Sequence, residues 1–307
     1  MKVPDNLKKG DVVAIVSPAT KVKEEYVEGA AAFLERRGYA VRIMPGALGP
    51  SDGSFASSRE QREADIRNAL LDPDVKAILC ARGGYGCVHL ISEIPVREIR
   101  ENPKWIIGFS DISALHALWN RAGVMSLHAP MAKHLTLEPA DDVSTVALFK
   151  ILEEGAKMDY SVNPHPFNRT GRGSGMLRGG NLAVLGGLAG TPFDMLRVDE
   201  GEDVILFLED ISEAIYAVER MLTRLYLSGT LGSVKGLILG RFTDYRPDLN
   251  HENMESMADA LLSRYGISGI PVAFDFPTGH VTYNLPMIEG ASVELCVGAD
   301  KVTLKTI

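Results

Sequence analysis

The stretch KWIIGFSDISALHALWNRAG, residues 104–123, carries the pattern that decides the fold. Its apolar run WIIG is typical of a strand that is buried on both faces of a parallel sheet. The run gives way to Ser110, after which apolar residues recur at helical spacing until Gly123, a residue common at the C-termini of helices. A strand that turns directly into a helix predicts one step of a β-α-β unit.

The same alternation extends outward through the first half of the chain. Strand-like runs occur in DVVAIVSPA (residues 11–19), YAVRIMPG, VKAILCARGGYG and MSLHAP, and helical patterns occur in KEEYVEGAAAFLERRG (residues 23–38), REQREADIRNALLD and at about residues 142–155. Strands that alternate with helices favour a mainly parallel sheet wrapped by helices. We therefore expect an α/β N-terminal domain of Rossmann-like or flavodoxin-like type.

The composition changes at residues 161–176, where SVNPHPFNRTGRGSG is rich in Pro, Gly and Asn and has no periodicity. This segment predicts a linker between an N-terminal domain over residues 1–160 and a C-terminal domain over residues 177–307. Strands, helices and an alternating pattern around Gly298-Ala299-Asp300 follow it, and the last of these is typical of an antiparallel hairpin. The C-terminal domain is therefore expected to be a mixed α+β domain.

Composition and charge restrict the class of function. The 307 residues are 46% hydrophobic and 23% charged, with a net charge of −8. We find no cluster of basic residues, so an electrostatic attraction to nucleic acid or to an anionic membrane is not expected. A small molecule or a peptide is the better expectation for the substrate.

Cysteine usage and the N-terminus indicate the compartment. None of the three cysteines, Cys80, Cys87 and Cys296, has the C-x-x-C spacing of a structural zinc site, and an odd number cannot all pair. The N-terminus lacks the long apolar core of a signal peptide, and no stretch approaches transmembrane length. We expect a cytoplasmic protein without a structural zinc site.

Three polar loops follow predicted parallel strands, where open α/β sheets place their active sites. They are Ser17-Pro18-Ala19-Thr20, Arg82-Gly83-Gly84-Tyr85-Gly86 and Gly108-Phe109-Ser110-Asp111.

Ser110 has two possible roles. With Gly108 two residues before it, the serine resembles a nucleophile elbow, and the amide of Asp111 could then donate to an oxyanion with help from the helix dipole. Because Ile112 stands two residues after the serine, the G-x-S-x-G pattern is only half met. Alternatively, Ser110 simply caps the predicted helix over residues 111–123, and this stretch alone favours the cap.

The glycine loop Arg82–Gly86 also has two interpretations. Three glycines in four positions let the backbone approach a ligand closely or adopt positive φ. The loop lacks both the G-x-G-x-x-G pattern and the Lys-Ser/Thr of a nucleotide-binding loop. It could supply a second oxyanion N–H group beside Ser110, or it could be a plain tight turn.

A nucleophilic serine needs a base and an orienting carboxylate. Of the seven histidines, His128 ends a predicted strand, His134 lies in the loop after it, and His280 lies in an irregular loop rich in Gly and Pro. Glu209 and Asp210 follow four apolar residues at the end of another strand, where a buried acid implies a partner. Either acid could instead cap the following helix.

Six segments, taken in chain order, resemble the LD-carboxypeptidases of murein recycling and their relatives, the microcin-C immunity peptidases. They are LKKGDVVAIVSPA, ARGGYG, IIGFSDISALH, LRGGNLAVLGGLAGTP, ILFLEDISEAIYAVERMLTRL and FDFPTGHVTYNLPMIEGASVEL. The resemblance covers nearly the whole chain. It implies an N-terminal domain that supplies a serine and a C-terminal domain that supplies a glutamate and a histidine.

Carried onto this chain, the resemblance implies Ser110 as the nucleophile, His280 as the general base and Glu209 as the residue that orients it. It also implies oxyanion donors at the N–H groups of Gly84 and Asp111.

Gly83 belongs to the same glycine pair, and Arg82 and Ser17 lie on the same predicted edge, where they could contact a carboxylate or the peptide. Because the serine and its partners belong to different domains, the active site is expected where the domains meet.

The implied reaction releases the terminal D-Ala of a murein tetrapeptide by hydrolysis of an L,D amide bond, through an acyl-enzyme and without a metal or a cofactor. The resemblance also implies a homodimer. The nearest alternative is an amidase of the microcin-C immunity type, which would act on an aminoacyl-nucleotide. A binding module without catalysis is a second alternative, but it would have no need of all three residues Ser110, Glu209 and His280.

Overall fold

The computed structural model describes all 307 residues, and the chain divides into two compact units. Unit 1 consists of Met1–Ala156 and Thr282–Gly290. Unit 2 consists of Lys157–Val281 and Ala291–Ile307.

The strands are numbered in chain order. They are β1 Val12–Val16, β2 Ala40–Ile43, β3 Val75–Cys80, β4 Trp105–Gly108, β5 Ser126–His128, β6 Asp159–Val162, β7 Gly171–Asn181, β8 Val204–Ile211, β9 Gly236–Thr243, β10 Val272–Ala273, β11 Met287–Glu289, β12 Ser292–Val297 and β13 Val302–Thr306.

The helices are numbered in the same way. They are α1 Glu24–Arg36, α2 Arg59–Leu71, α3 Val96–Glu101, α4 Ser113–Ala122, α5 Ala132–Leu137, α6 Val143–Glu154, α7 Leu182–Gly186, α8 Ile215–Leu227, α9 Thr230–Ser233 and α10 Met254–Arg264. None of them combines the length and the apolar character that a membrane crossing requires.

Unit 1 is built on a six-stranded sheet in the order β11-β5-β4-β3-β1-β2. The five strands β1 to β5 are parallel, and β11 pairs antiparallel with β5. The order 2-1-3-4-5 is that of flavodoxin-like folds. The prediction of a mainly parallel, flavodoxin-like sheet is confirmed.

The register of this sheet brings three strand ends together. Ile15 of β1 pairs with Leu79 of β3, and Leu79 pairs in turn with Ile107 of β4. Because parallel strands in this register end at the same edge, the loops that follow β1, β3 and β4 all leave the sheet there. These are the three polar loops that were singled out from the sequence.

Unit 2 contains a seven-stranded mixed sheet in the order β10-β9-β8-β7-β12-β13-β6. Strands β7 to β10 are parallel, whereas β12, β13 and β6 pair antiparallel. In the hairpin of β12 and β13, Val297 lies opposite Val302 across the turn. The predicted mixed domain and its terminal hairpin are both confirmed.

The segment expected to be a linker differs in part, because β7 begins at Gly171. A side-chain carbon on Gly173 would lie 1.9 Å from the carbonyl oxygen of Lys235, and one on Gly175 would lie 2.6 Å from the backbone of Asp203. These glycines are therefore required by the close approach of neighbouring backbone rather than by flexibility. The return of residues 282–290 to unit 1 was also not anticipated.

His116 of α4 is fully buried and braces the end of β4. Its Nε2 lies 2.8 Å from the carbonyl oxygen of Gly108, and its Nδ1 lies 2.8 Å from the hydroxyl of Ser126. Because a carbonyl only accepts, Nε2 carries the proton and Nδ1 accepts from Ser126. Burial, assisted by the nearby His128, lowers the pKa of His116 to about 3, so the ring is neutral.

We predict that His116 makes the fold sensitive to acid. The unfolded chain takes up this proton near pH 6.5, whereas the folded chain does so only near pH 3, so stability falls as the pH falls between these values. At pH 5 the loss in the free energy of unfolding is about 2 kcal/mol.

The test replaces His116 by glutamine, which can still donate to Gly108 and accept from Ser126 without titrating. Urea unfolding at pH 7.5 and pH 5 is expected to show a smaller loss for His116→Gln than for the wild type, and equal losses would contradict this account.

Candidate active site

Ser110 occupies a sharp turn between β4 and α4. It is the first residue of a short 3-10 turn, Ser110–Ile112, and its φ is +67°. The N-cap residues are Phe109 for this turn and Ile112 for α4, which begins only at Ser113, so Ser110 is not the N-cap of either. The interpretation of Ser110 as a helix cap is therefore wrong. A non-glycine residue with left-handed backbone at a strand-to-helix turn is a feature of nucleophile elbows.

The surroundings explain how the strained turn persists. The carbonyl oxygen of Gly108 accepts from His116 and from the N–H group of Ala129 at 3.1 Å. A side-chain carbon on Gly108 would lie 2.9 Å from Ile112 and 3.1 Å from Cys80. Only glycine fits at this position, as expected from the sequence.

The glycine loop lies against this turn. A side-chain carbon on Gly83 would lie 3.0 Å from the hydroxyl oxygen of Ser110 and 3.2 Å from the backbone nitrogen of Asp111. The N–H groups of Gly83, Gly84 and Asp111 find no acceptor within unit 1. Free backbone donors beside a serine hydroxyl are what an oxyanion hole requires.

Two other predicted site residues have different surroundings. Arg82 is exposed, and its guanidinium donates to the carbonyl oxygen of Lys21 at 3.0 Å. Ser17 is buried, and its hydroxyl donates to the carbonyl oxygen of Ala47 at 3.2 Å. The hydroxyl of Ser17 is thus used inside unit 1.

Glu209 and His280 meet in unit 2. Glu209 lies in β8 with a fully buried side chain, and its Oε2 is 2.8 Å from Nδ1 of His280. The side chain of His280 is 14% exposed. An ionised carboxylate only accepts, so Nδ1 of His280 donates to it and Nε2 is left as the basic nitrogen.

Glycines make room for this pair. Gly279 has φ of +122°, and a side-chain carbon there would lie 2.8 Å from Oε2 of Glu209. A side-chain carbon on Gly240 of β9 would lie 2.7 Å from the carbonyl oxygen of Thr278 and 3.3 Å from Cβ of Glu209. The loop that carries His280 can therefore pack directly on β8 and β9.

Asp210, next to Glu209, ties the end of β8 to the start of α7. Its carboxylate accepts from the side chain of Asn181 at 3.0 Å and from the N–H groups of Ala183 and Ile211 at 2.8 Å. Burial and the neighbouring charge of Glu209 raise the pKa of Asp210 to about 7.

Helix α8 has Ala214 at its N-cap, without a side-chain capping bond, so neither Glu209 nor Asp210 caps this helix.

The other candidate histidines are held elsewhere. His134 lies in helix α5 rather than in a loop, and its Nε2 is 3.1 Å from Oδ1 of Asp142. His128 is fully buried at the end of β5. No group of three or more His, Cys, Asp or Glu side chains is placed to hold a metal ion.

Sequence reasoning missed three residues that shape the two sites. Asn181 supports Asp210, Thr20 accepts from the N–H group of Tyr85 at 3.1 Å, and Arg62 donates to the carbonyl oxygen of Gly86 at 3.1 Å. Arg62 gave one usable signal: it stands four residues before Ile66 and eight before Leu70, on the buried face of α2.

We predict that the left-handed backbone of Ser110 reverses the usual ranking of glycine and alanine. Glycine adopts this conformation freely, whereas for alanine the conformation costs roughly 1–2 kcal/mol. This cost is partly offset, by about 0.5–1 kcal/mol, because alanine has less conformational entropy than glycine in the unfolded chain. Urea unfolding should therefore find Ser110→Gly at least as stable as Ser110→Ala. The control pair at Ser113, within helical backbone, should favour alanine by about 1 kcal/mol. The same preference for alanine at both positions would contradict the strained turn.

Comparisons with known proteins identify the family of this chain. Residues 13–129 match the model of the LD-carboxypeptidase N-terminal domain, and residues 174–295 match that of the LD-carboxypeptidase C-terminal domain. A probable murein peptide carboxypeptidase of Bacillus subtilis (strain 168) is 32% identical over 298 residues, which cover 95% of this chain and 91% of that protein. A murein tetrapeptide carboxypeptidase of Pseudomonas aeruginosa is 30% identical over 282 residues, 89% of each chain.

Solved structures are similar over the same extent. The muramoyltetrapeptide carboxypeptidase from Oxalobacter formigenes has a TM-score of 0.84 at 29% identity, over 96% of this chain and 98% of that one. The microcin C7 self-immunity protein MccF, in complex with aspartyl sulfamoyl adenosine, has a TM-score of 0.87 at 22% identity, over 100% of this chain and 99% of that one, which is a likeness of fold alone. From the two matched domains and the relatives aligned along nearly its whole length, we conclude that this chain belongs to the LD-carboxypeptidase family of peptidases.

Proposed function

We propose that this chain is a serine carboxypeptidase that releases the terminal D-Ala of murein tetrapeptides by hydrolysis of an L,D amide bond. The observation that carries the proposal is the contact of 2.8 Å between the buried Glu209 carboxylate and Nδ1 of His280. A buried carboxylate that fixes an imidazole, with the second ring nitrogen left basic, is the base-and-orienter arrangement of serine hydrolases.

The nucleophile in this proposal is Ser110. Its left-handed turn supports this role because such a turn lifts the hydroxyl away from the sheet. The N–H groups of Asp111 and Gly84 are the proposed oxyanion donors, with Gly83 beside them. Both N–H groups lack an acceptor within unit 1.

The proposed reaction proceeds in two halves. Nε2 of His280 takes the proton of Ser110 as its oxygen bonds to the amide carbonyl carbon, and the oxyanion accepts from the backbone donors. Collapse breaks the C–N bond, and Nε2 gives its proton to the departing amine of D-Ala. Water then loses a proton to Nε2 and attacks the acyl-enzyme, and the C–O bond to Ser110 breaks as the serine regains a proton. Glu209 stabilises the imidazolium in both halves.

Because Ser110 belongs to unit 1 and Glu209 and His280 belong to unit 2, the proposed triad requires both units. Arg82, exposed at the start of the glycine loop, is a proposed contact for a substrate carboxylate. Ser17 is not carried forward, because its hydroxyl already donates to Ala47.

The substrate class is proposed from the relatives, whose names include murein peptide carboxypeptidase and murein tetrapeptide carboxypeptidase. A cytoplasmic role in peptidoglycan recycling and assembly as a homodimer belong to the same proposal. The assembly is open to measurement by light scattering coupled to size-exclusion chromatography.

We predict loss of D-Ala release when any member of the triad is changed. With UDP-MurNAc-tetrapeptide as substrate and mass spectrometry as readout, Ser110→Ala is expected to lower kcat by ~10⁴-fold or more, because the covalent step is lost. Glu209→Gln and His280→Gln should each cost ~10²-fold or more, because the imidazole loses its orientation or is absent.

Matched controls separate these roles from general damage. Ser92→Ala changes an exposed serine and His251→Gln changes a histidine outside the proposed triad, and both are expected to leave kcat and KM unchanged. Release of D-Ala by Ser110→Ala at the wild-type rate would overturn the assignment of the nucleophile.

A second assay distinguishes the proposal from an amidase of the microcin-immunity type. Aspartyl sulfamoyl adenosine, the ligand of the MccF complex, presents an acyl bond to a nucleotide analogue. We expect this chain to cleave the tetrapeptide and to leave the sulfamoyl compound intact. The reverse pattern would favour the amidase.

A further inference from the structure

Arg62 is a buried cation in helix α2 that the proposed reaction does not use. The residue is 2% exposed. Its Nε donates to the carbonyl oxygen of Ser57 at 3.2 Å, and its Nη1 donates to those of Pro18 at 2.6 Å and Gly86 at 3.1 Å. The guanidinium also lies 4.7 Å from the ring centre of Phe55.

The burial of this charge is costly. All of its hydrogen bonds go to backbone carbonyl oxygens, and burial lowers the pKa of the guanidinium from its usual value while Asp111 acts in the opposite direction. A buried cation costs several kcal/mol unless hydrogen bonds and nearby charge offset it. A neutral residue would be easier to place here if the position served only to pack α2.

The three carbonyls belong to three separate segments. Pro18 lies in the loop after β1, Ser57 lies just before α2, and Gly86 ends the glycine loop after β3. The planar guanidinium of arginine carries several N–H donors in a fixed arrangement, so it can bind all three carbonyl oxygens at once. The ammonium of lysine, on a flexible side chain, does this less well.

The glycine loop is held at its end by two further contacts. The N–H group of Tyr85 donates to the hydroxyl of Thr20 at 3.1 Å, and that of Cys87 donates to the buried carboxylate of Asp111 at 2.9 Å. Between these contacts Gly86 has φ of +132°, and Arg62 holds its carbonyl. The N–H groups of residues 83 and 84 stay free.

We infer that Arg62 is a positioning residue: by holding the carbonyls of Pro18 and Gly86 it keeps the free N–H groups of the glycine loop directed at the oxygen that forms when Ser110 attacks. The inference rests on the proposed serine mechanism. Its chemical reason is geometric, because oxyanion donors act only within about 2.7–3.1 Å of the developing charge. Loss of one such donor lowers kcat by ~10²–10³-fold.

The test uses Arg62→Met and Arg62→Lys in the full chain, with Arg67→Gln as the matched control. Arg67 lies on the same helix but forms a partly exposed ion pair with Glu98. Steady-state release of D-Ala from UDP-MurNAc-tetrapeptide gives kcat and KM separately. Hydrogen–deuterium exchange of peptides that span residues 82–90 reports on the loop without any need for activity.

We expect Arg62→Met to lower kcat by ~10²-fold with KM within about threefold, because transition-state donors are displaced while substrate binding is kept. Exchange across residues 82–90 should become faster. Arg62→Lys keeps the positive charge but not the planar set of N–H donors, so kcat should fall at least ~10-fold. Arg67→Gln should change neither readout.

Wild-type kcat in Arg62→Lys, or a loss of kcat with unchanged exchange across residues 82–90, would overturn the inference. If Arg62→Met does not fold, the lysine variant decides. If the wild type itself releases no D-Ala, the proposed function has failed, and hydrogen–deuterium exchange alone then tests the role of Arg62. Unchanged exchange across residues 82–90 in the Arg62 variants would overturn its role in holding the loop, and faster exchange would support that role.

Discussion

The turn at Ser110 is the constraint on which unit 1 depends. A buried strand must give way to a helix within a few residues, and the backbone manages this only with Ser110 in left-handed conformation. The neighbouring positions follow from that turn, since Gly108 has no room for a side chain and a side-chain carbon on Gly83 would lie 2.9 Å from Cβ of Ser110. The Nε2–H group of His116 donates to the carbonyl oxygen of Gly108 and fixes it in place. The strain is thus held by contacts on several sides, as expected of a preorganised site.

In unit 2 the constraint is the burial of a carboxylate, which must be stabilised without water. Glu209 is fully buried, and the loop that brings His280 to it can approach because Gly240 and Gly279 carry no side chains. Asp210 adds a second acid at the same strand end and takes up the donors of α7. Two adjacent buried acids are unfavourable by themselves, and they are tolerated here because each has specific hydrogen-bonding partners.

Much of the fold could be predicted from the sequence, because strand and helix periods are local. The alternation in the first half, the terminal hairpin and the acids at the end of β8 all follow from such patterns. Gly173 and Gly175 were interpreted as part of a linker, because the backbone of Lys235 and Asp203 that requires glycine there is distant in sequence.

Glu209 and His280 are 71 residues apart, so only family resemblance could pair them. The spacing of Arg62 to Ile66 and Leu70 indicates a buried position, but nothing local reveals the carbonyls that it holds.

The most direct test of the account is to locate the acyl group during turnover. The enzyme is mixed with UDP-MurNAc-tetrapeptide, quenched in acid within a single turnover and digested with trypsin, which releases the peptide WIIGFSDISALHALWNR that contains Ser110. We expect this peptide to carry the acyl group left after loss of D-Ala, and fragmentation to place the group on Ser110. The His280→Gln variant should not form the acylated peptide. An acyl group on any other side chain, or full turnover without an acylated peptide, would contradict the account.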